Sequence, residues 1–138
     1  MSTVITDNLT GKTSAGDVTI TSEGGSATMQ LQQGLTKNWV HFDASSTLSI
    51  EDSFNTSSVD DNGTGYFDVN FSSSFGNGNY TVSGSAGTLA TTTTPTSIRP
   101  AATFATGSIT FNVLYATASS NGTADYHQTS IKVAGDLA

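Results

Sequence analysis

Apolar and polar residues alternate with a period of two from Asn38 to the end of the chain. Side chains that alternate in this way point to opposite faces of a β-strand, so that one face is buried and the other meets solvent. The pattern is clearest in four segments, which are 47–51, 66–71, 109–115 and 128–134. It predicts short strands through this part of the chain, with Phe67, Val69 and Phe71 on one buried face.

Turn-forming residues separate these segments and indicate the fold class. The segment 60–65, DDNGTG, predicts a tight hairpin because Asn-Gly supplies the positive φ angles of such a turn. Further turns are predicted at 75–79 and at Asn121–Gly122. Pro95 and Pro100 argue against a central strand around them, since proline donates no backbone hydrogen bond. Short strands between frequent turn signals predict an all-β fold, an antiparallel β-sandwich of the jelly-roll type.

Residues 1–34 have a different character, because they contain no aromatic residue. Such a segment has little with which to build its own core, and it is predicted to be an extended arm that becomes ordered against a partner. Within it, 17–21 alternates and predicts a short strand. A short helix is predicted between Ser26, as its N-cap residue, and Gly34, which lies just beyond the C-terminal end of the helix. The sandwich domain is expected to occupy 35–138.

The composition limits the size of the core and the classes of partner. About a fifth of the residues are Leu, Ile, Val or Phe, which predicts a lean core that neighbouring subunits help to bury. The basic residues are scattered along the chain: Lys12, Lys37, Arg99 and Lys132. Because they form no cluster and the net charge is -7, neither nucleic acid nor an anionic membrane surface is an expected partner. Without cysteine, no disulfide and no Cys-based zinc site is expected.

Targeting and membrane-spanning signals are not apparent in the sequence. Residues 1–7 contain no basic stretch followed by an apolar one, so no signal peptide is expected. No apolar run approaches the roughly 20 residues that cross a bilayer, and no membrane insertion is expected.

The residues with chemical potential form only weak motifs. His41 with Asp43, and Asp125 with His127, are carboxylate–imidazole pairs that would share a face of an alternating strand. No Gly-x-Ser-x-Gly elbow accompanies them, and two histidines do not complete a usual zinc shell without carboxylate help. Exposed strand histidines are the favoured interpretation, and the acidic segment 60–65 is interpreted as a turn rather than a calcium site. We therefore expect no enzymatic activity, no catalytic residue, no cofactor and no bound metal.

Two stretches of the sequence carry a resemblance to a known group of proteins. The first is TGKTSAGDVTI at 10–20, followed by EGGSATMQLQQGLTKNWV at 23–40. The second is IEDSFNTSSVDDNGTG at 50–65, followed by FDVNF at 67–71 and FGNGNY at 75–80. Together they resemble short tail-fibre and structural virion proteins of marine and environmental bacteriophages.

The resemblance implies a homotrimeric virion protein, made in the host cytoplasm and placed on the surface of the tail or the head. The first expectation is a fibre-type appendage module, anchored to other virion proteins by its N-terminal arm and contacting the host surface. The alternative is a capsid decoration or cement protein that covers or stabilises the head without receptor binding. The expected partners are further copies of the chain, other virion proteins, and a glycan or protein of the host cell surface.

These expectations select two sets of candidate contact residues. The rings available for stacking on host sugars are Trp39, Tyr66, Tyr80, Tyr115 and Tyr126. Packing within the sandwich or between subunits is the alternative for each ring. The arm side chains expected to contact the particle or a neighbouring subunit are Val18, Ile20, Met29 and Leu31.

Overall fold

The computed structural model describes residues 3–12, 18–87 and 96–138. The described residues form an all-β protein in which every strand pair is antiparallel, as the alternating pattern predicts. The chain divides into two compact units, Met1–Leu35 and Thr36–Ala138.

The first unit contains a small hairpin. Strands β1 (Thr19–Thr21) and β2 (Thr28–Gln30) pair antiparallel, and a 3-10 helix at Gln32–Gly34 follows them. The helix predicted between Ser26 and Gly34 is therefore wrong over most of its length. The turn at 22–27, with Gly25 at φ 71, folds the chain back, and the strand pairing satisfies backbone groups that a two-turn helix would leave unpaired.

The second unit contains two sheets. Its strands are β3 (Asn38–Asp43), β4 (Ser49–Phe54), β5 (Thr56–Asp61), β6 (Tyr66–Phe71), β7 (Thr81–Gly87), β8 (Thr96–Phe104), β9 (Ser108–Ala116), β10 (Asn121–Thr123) and β11 (Gln128–Ala134). One sheet has four strands in the order β4-β3-β11-β7. The other has five strands, in which β10-β9-β6-β5 form a path and β8 pairs with β9.

Strand β9 organises the five-stranded sheet. One of its edges pairs first with β6 and then with β10, and its other edge pairs with β8. Pro100 lies in β8, which pairs only with β9 among the described residues and shifts register after this proline. A proline in an edge strand agrees with the prediction for this residue, whereas Pro95 lies outside the described residues. The turn predicted at Asn121–Gly122 is wrong, since these residues begin β10 and the turn lies at 117–120.

The core lies between the inner faces of the two sheets. Phe42 of β3 packs edge-to-face on Phe67 of β6, with ring centroids 5.1 Å apart, and Phe111 of β9 lies against both rings. A second aromatic group contains Phe71, Phe75, Tyr80 and Phe104. The predicted alternation is confirmed in β6, whose buried residues are Phe67, Val69 and Phe71.

Asparagine side chains support the corner where β4 passes into β5. Asn38 is fully buried, and its Nδ2 donates to the carbonyl oxygens of Phe54 and Asn55 and to Oγ1 of Thr56. Asn55 has a φ of 56, and its Nδ2 donates to the carbonyl oxygens of Lys37 and Ser73. The sharp change of direction between these strands therefore depends on side-chain amides that replace ladder hydrogen bonds.

Candidate functional site: two grooves on the outer sheet faces

A groove of about 450 Å³ lies on the outer face of the four-stranded sheet. Because Val40 and Phe42 are buried, the neighbouring positions Trp39 and His41 point to this outer face. The groove, called here the Trp39 groove, has outward side chains from β3, β7 and β11: Trp39, His41, Ser83, Ser85, Ser130 and Lys132. Of these, the sequence pattern selected only Trp39 as a contact residue, since Ser83, Ser85, Ser130 and Lys132 come from distant parts of the chain.

One hydrogen bond orders the polar side of the Trp39 groove. Nδ1 of His41 lies 2.7 Å from Oγ of Ser130, directly across the β3–β11 pair. The imidazole is thereby held by one ring nitrogen, and Nε2 has no protein partner among the described residues. His41 was predicted to share a face with Asp43, and both do alternate outward, but the ring of His41 bonds to Ser130 and the carboxylate of Asp43 bonds to His127.

The aromatic and cationic members of the groove lie side by side. Trp39 pairs directly with Lys132 in the β3–β11 register, and Lys132 pairs in turn with Ser83 of β7. Lys132 is exposed and forms no ion pair within the described part of the chain. On the other side of Trp39, its register partner in β4 is Phe54, which is 53% exposed.

A second cleft, with a larger volume of about 580 Å³, lies on the five-stranded sheet. Tyr66, Tyr115 and Arg99 are among its lining residues, so the structure brings two of the predicted sugar-contact rings together. Tyr66 is 43% exposed, whereas Tyr115 is half-buried with its ring against Gly122. The carboxamide oxygen of Asn112, in the orientation that satisfies its hydrogen bonds, accepts from Nη2 of Arg99 at 3.1 Å.

The remaining two predicted rings are placed in the interior or at its border. Tyr80 is only 8% exposed and packs on Phe75, and its hydroxyl donates to the carbonyl oxygens of Ala105 and Ser108. Burial raises the pKa of Tyr80 above its ordinary value of 10.0. Tyr80 therefore packs in the interior, which was the alternative to sugar contact for each predicted ring. Tyr126 is half-buried against the core, and its pKa is raised by burial and by nearby Tyr115.

A Ser–His–Asp cluster joins the end of β3 to the segment before β11. Nδ1 of His127 lies 3.0 Å from Oδ2 of Asp43 and 2.8 Å from Oγ of Ser45. The hydroxyl of Ser45 donates to Oδ1 of Asp43, and so does its backbone N–H, which is an Asx turn. In a nucleophilic triad the histidine contacts serine and carboxylate through different nitrogens, whereas here both contact the same one.

The sequence neighbours of the two histidines are therefore not their partners. Asp125 does not pair with His127, because its Oδ1 accepts the backbone N–H of Gly65 at 2.6 Å. That bond ties the β5–β6 hairpin turn to the segment between β10 and β11. The predicted hairpin at 60–65 is confirmed by the pairing of β5 with β6.

The predicted contact residues of the first unit lie around its own hairpin. Ile20 and Met29 are register partners in β1 and β2, and both are exposed. Val18 and Leu31 are partly exposed and line a small cleft of about 230 Å³ together with Leu9, Gln32 and Leu35.

The described residues contain neither a metal-binding cluster nor a membrane-spanning helix. Across 3–12, 18–87 and 96–138, no three His, Asp or Glu side chains are grouped so that they would hold a metal ion. The same part of the chain contains no helix whose length and apolar character suit a membrane crossing.

Comparison with protein-family models, with curated proteins and with solved structures finds no match for this chain.

Proposed function

We propose that the protein is a non-enzymatic structural component of a bacteriophage virion, a trimeric fibre-type appendage module. Its first unit anchors the chain to other virion proteins. Its second unit, a jelly-roll-like sandwich, projects from the particle and contacts the host surface. The resemblance of 10–40 and 50–80 to tail-fibre and structural virion proteins supports the proposal that the chain belongs to a bacteriophage virion.

The observation that carries the anchoring role is the exposure of apolar side chains in the first unit. No described residue of 3–12 or 18–35 is buried. The large apolar side chains exposed there are Val4, Ile5, Leu9, Ile20, Met29 and Leu35. Exposed apolar side chains in this number favour a protein–protein contact, because burial against a partner removes them from water.

The trimer is supported by the edges of the two sheets. Strand β4 lies at the edge of one sheet and β5 at the edge of the other, so backbone donors and acceptors there are available for a neighbouring subunit. Ile50 and Phe54 in β4 are exposed apolar residues on one such edge. A closed cyclic assembly would cover these edges without leaving a free one.

Immunogold labelling of intact virions tests the proposal directly. Label at the tail supports a fibre component, and label over the head supports the alternative of a decoration protein. Purified particles that carry no label would contradict both. In a second step, a chain lacking residues 1–35 is expected to be absent from virions, whereas the full-length chain with Tyr66→Ala, which leaves the anchoring surface unchanged, is expected to be incorporated.

The oligomeric state is measured separately on the purified protein. Native mass spectrometry at micromolar concentration is expected to give about three times the chain mass of 14.1 kDa. A single species at the mass of one chain would contradict the trimer, while leaving the particle assignment to the labelling experiment.

A further inference from the structure

The outer side chains of the Trp39 groove form two parallel rows across three strands. One row is Trp39, Lys132 and Ser83, and the next is His41, Ser130 and Ser85. Adjacent strands lie about 4.8 Å apart and successive outward residues of a strand about 6.7 Å apart. The rows therefore bring an aromatic ring, a cation, an imidazole and three hydroxyls together on one face.

Small side chains line one side of the groove. Ser83, Ser85 and Ser130 lie on the β7 and β11 side, while Trp39 lies on the β3 side. The indole N–H donates no hydrogen bond to the described part of the chain. A groove of about 450 Å³ lies in the size range of small-ligand sites, which are mainly apolar with a few placed polar groups.

The polar groups match a ligand that is rich in hydroxyls. Each serine hydroxyl both donates and accepts, and Nε2 of His41 adds a further donor or acceptor while Nδ1 is held by Ser130. A sugar ring has an apolar C–H face that packs on an aromatic ring and a rim of hydroxyls that needs such partners. Binding of a protein partner would instead need a broad apolar surface, and the serine-lined half of the groove is not such a surface.

Lys132 favours a ligand that carries a negative charge. Lys132 forms no ion pair with any described carboxylate, although acidic residues outnumber basic ones by 11 to 4. On this face of the sheet, the acidic residue nearest to Lys132 in the strand register is Asp52 of β4, which pairs with His41 of β3. Strand β3 lies between Asp52 and Lys132. A lysine in register with a tryptophan, and without an ion-pair partner among the described carboxylates, suits the carboxylate of a ligand.

We propose that the Trp39 groove binds a sugar that carries a carboxylate, a hexuronic acid unit. The sugar ring stacks on Trp39, its carboxylate pairs with Lys132, and its hydroxyls bond to His41 and the serines. This inference names a ligand class for the host-contacting unit, but it is measured on the purified protein and does not depend on where the chain lies in a particle.

The single tryptophan of the chain provides the assay. Because Trp39 is the only indole, a change of its fluorescence reports on this groove alone. Oligogalacturonate is titrated into the full-length protein, with the fully methyl-esterified oligomer as the uncharged match. We expect saturable change with the acid and at least about tenfold weaker binding of the ester, as loss of a charge-assisted hydrogen bond implies.

Two matched variants, one in each groove, test which basic residue pairs with the carboxylate of the ligand, and a third tests the aromatic contact. Lys132→Gln is expected to weaken oligogalacturonate binding by about tenfold or more. Arg99→Gln removes the cation of the other cleft and is expected to leave binding unchanged. Trp39→Leu is expected to abolish binding, which is measured by calorimetry because this variant has no tryptophan fluorescence. Its far-ultraviolet circular dichroism spectrum is expected to match that of the unmodified protein.

Several results would overturn the assignment. Equal binding of acid and ester would remove the role of Lys132, and sensitivity to Arg99→Gln alone would place the site in the other cleft. Lack of any response to sugar, with an emission maximum that shifts to shorter wavelength as protein concentration rises, would show that a second copy of the chain covers Trp39. A virion that carries no label would contradict the proposed function but would leave these titrations unaffected.

Discussion

Nδ1 of His127 lies 3.0 Å from Oδ2 of Asp43, although the two residues are 84 positions apart in the chain. The contact connects the end of β3 with the segment that leads into β11. The hydrogen bond from His127, followed by those from the backbone and hydroxyl of Ser45, lowers the pKa of Asp43 from its ordinary value of 3.8 to about 2. The carboxylate is therefore held in its charged form by the neighbouring Ser45 and by His127, which approaches it only in the folded chain.

The first prediction concerns stability at low pH. Because the folded pKa of Asp43 is below the ordinary one, its contribution to stability is fully present above pH 3.8 and is lost as the pH falls toward about 2. Carbon-detected NMR titration of the Asp43 carboxyl is expected to give a midpoint near 2. His127→Phe is expected to raise that midpoint toward 3.8, and His41→Phe, which removes the other imidazole, is expected to leave it unchanged.

The opposite pattern would contradict the pairing. If the Asp43 midpoint responded to His41→Phe and not to His127→Phe, the neighbour along β3 would be the true partner. The effect on unfolding free energy is expected to be small, since the Asp43 and His127 side chains are partly exposed and solvent screens the pair.

The second prediction concerns the hairpin turn between β5 and β6. Gly65 has a φ of 68, and a Cβ placed there would lie 2.7 Å from the backbone nitrogen of Ala124 and 2.8 Å from the carbonyl oxygen of Val113. Gly63 also has a positive φ, but a Cβ there would meet nothing within 4 Å. Urea unfolding is expected to show a cost of about 1–2 kcal/mol for Gly63→Ala, from backbone conformation alone, and a larger one for Gly65→Ala. Equal costs would mean that the contact with the segment before β11 is absent.

The third prediction concerns the aromatic pair at the centre of the core. Phe42 and Phe67 are both fully buried and meet edge-to-face. A double-mutant cycle with Phe42→Leu and Phe67→Leu is expected to give a coupling energy of about 0.5–1.5 kcal/mol in chemical denaturation. Tyr66→Leu, at an exposed position outside the proposed trimer edges, is expected to change the unfolding free energy by less than about 0.5 kcal/mol. Additive single effects of Phe42 and Phe67 would contradict the direct contact between the two sheets.

The fourth prediction separates two roles of Asn55 at the corner between β4 and β5. Its backbone has a φ of 56, and its side-chain amide bonds to the backbone of Lys37 and Ser73. Asn55→Gly keeps the backbone geometry and loses the amide, at an expected cost of about 1–3 kcal/mol. Asn55→Ala loses the amide and keeps the Cβ at positive φ, a strain that glycine does not have, so it is expected to cost more than Asn55→Gly. Thermal or urea unfolding of both variants tests the order, and an Ala variant as stable as the Gly variant would contradict it.

The all-β class and several elements follow directly from local sequence signals. Strands β6 and β11 are predicted by alternation, and the hairpin before β6 is predicted by Asn-Gly. Local signals fail where a longer-range contact competes with them. Ser26 and Gly34 have the residue types of helix ends, but pairing with β1 draws the intervening residues into β2. Gly122 has the residue type of a turn, but the ring of Tyr115 fits over it in a strand pair.

The candidate site is less visible in the sequence than the fold. The Trp39 groove is assembled from 39–41, 83–85 and 130–132, and no local motif links these three stretches. Lys132 is only a scattered basic residue until β11 places it beside Trp39. Asn38 is a further case, because a polar residue in a buried position of an alternating strand gives no signal of its three hydrogen bonds.

The position of β11 has a consequence for how the chain reaches its native state. This strand is the last of the unit along the chain, yet it lies between β3 and β7 in the interior of its sheet. Its pairing joins Asn38 to Val133, so the sheet is incomplete until nearly the whole unit has been synthesised. Sheets that depend on such distant pairings fold in about milliseconds to seconds. During translation, the nascent chain therefore presents two unpaired strand edges, and this interval is when it is most prone to associate with other nascent copies.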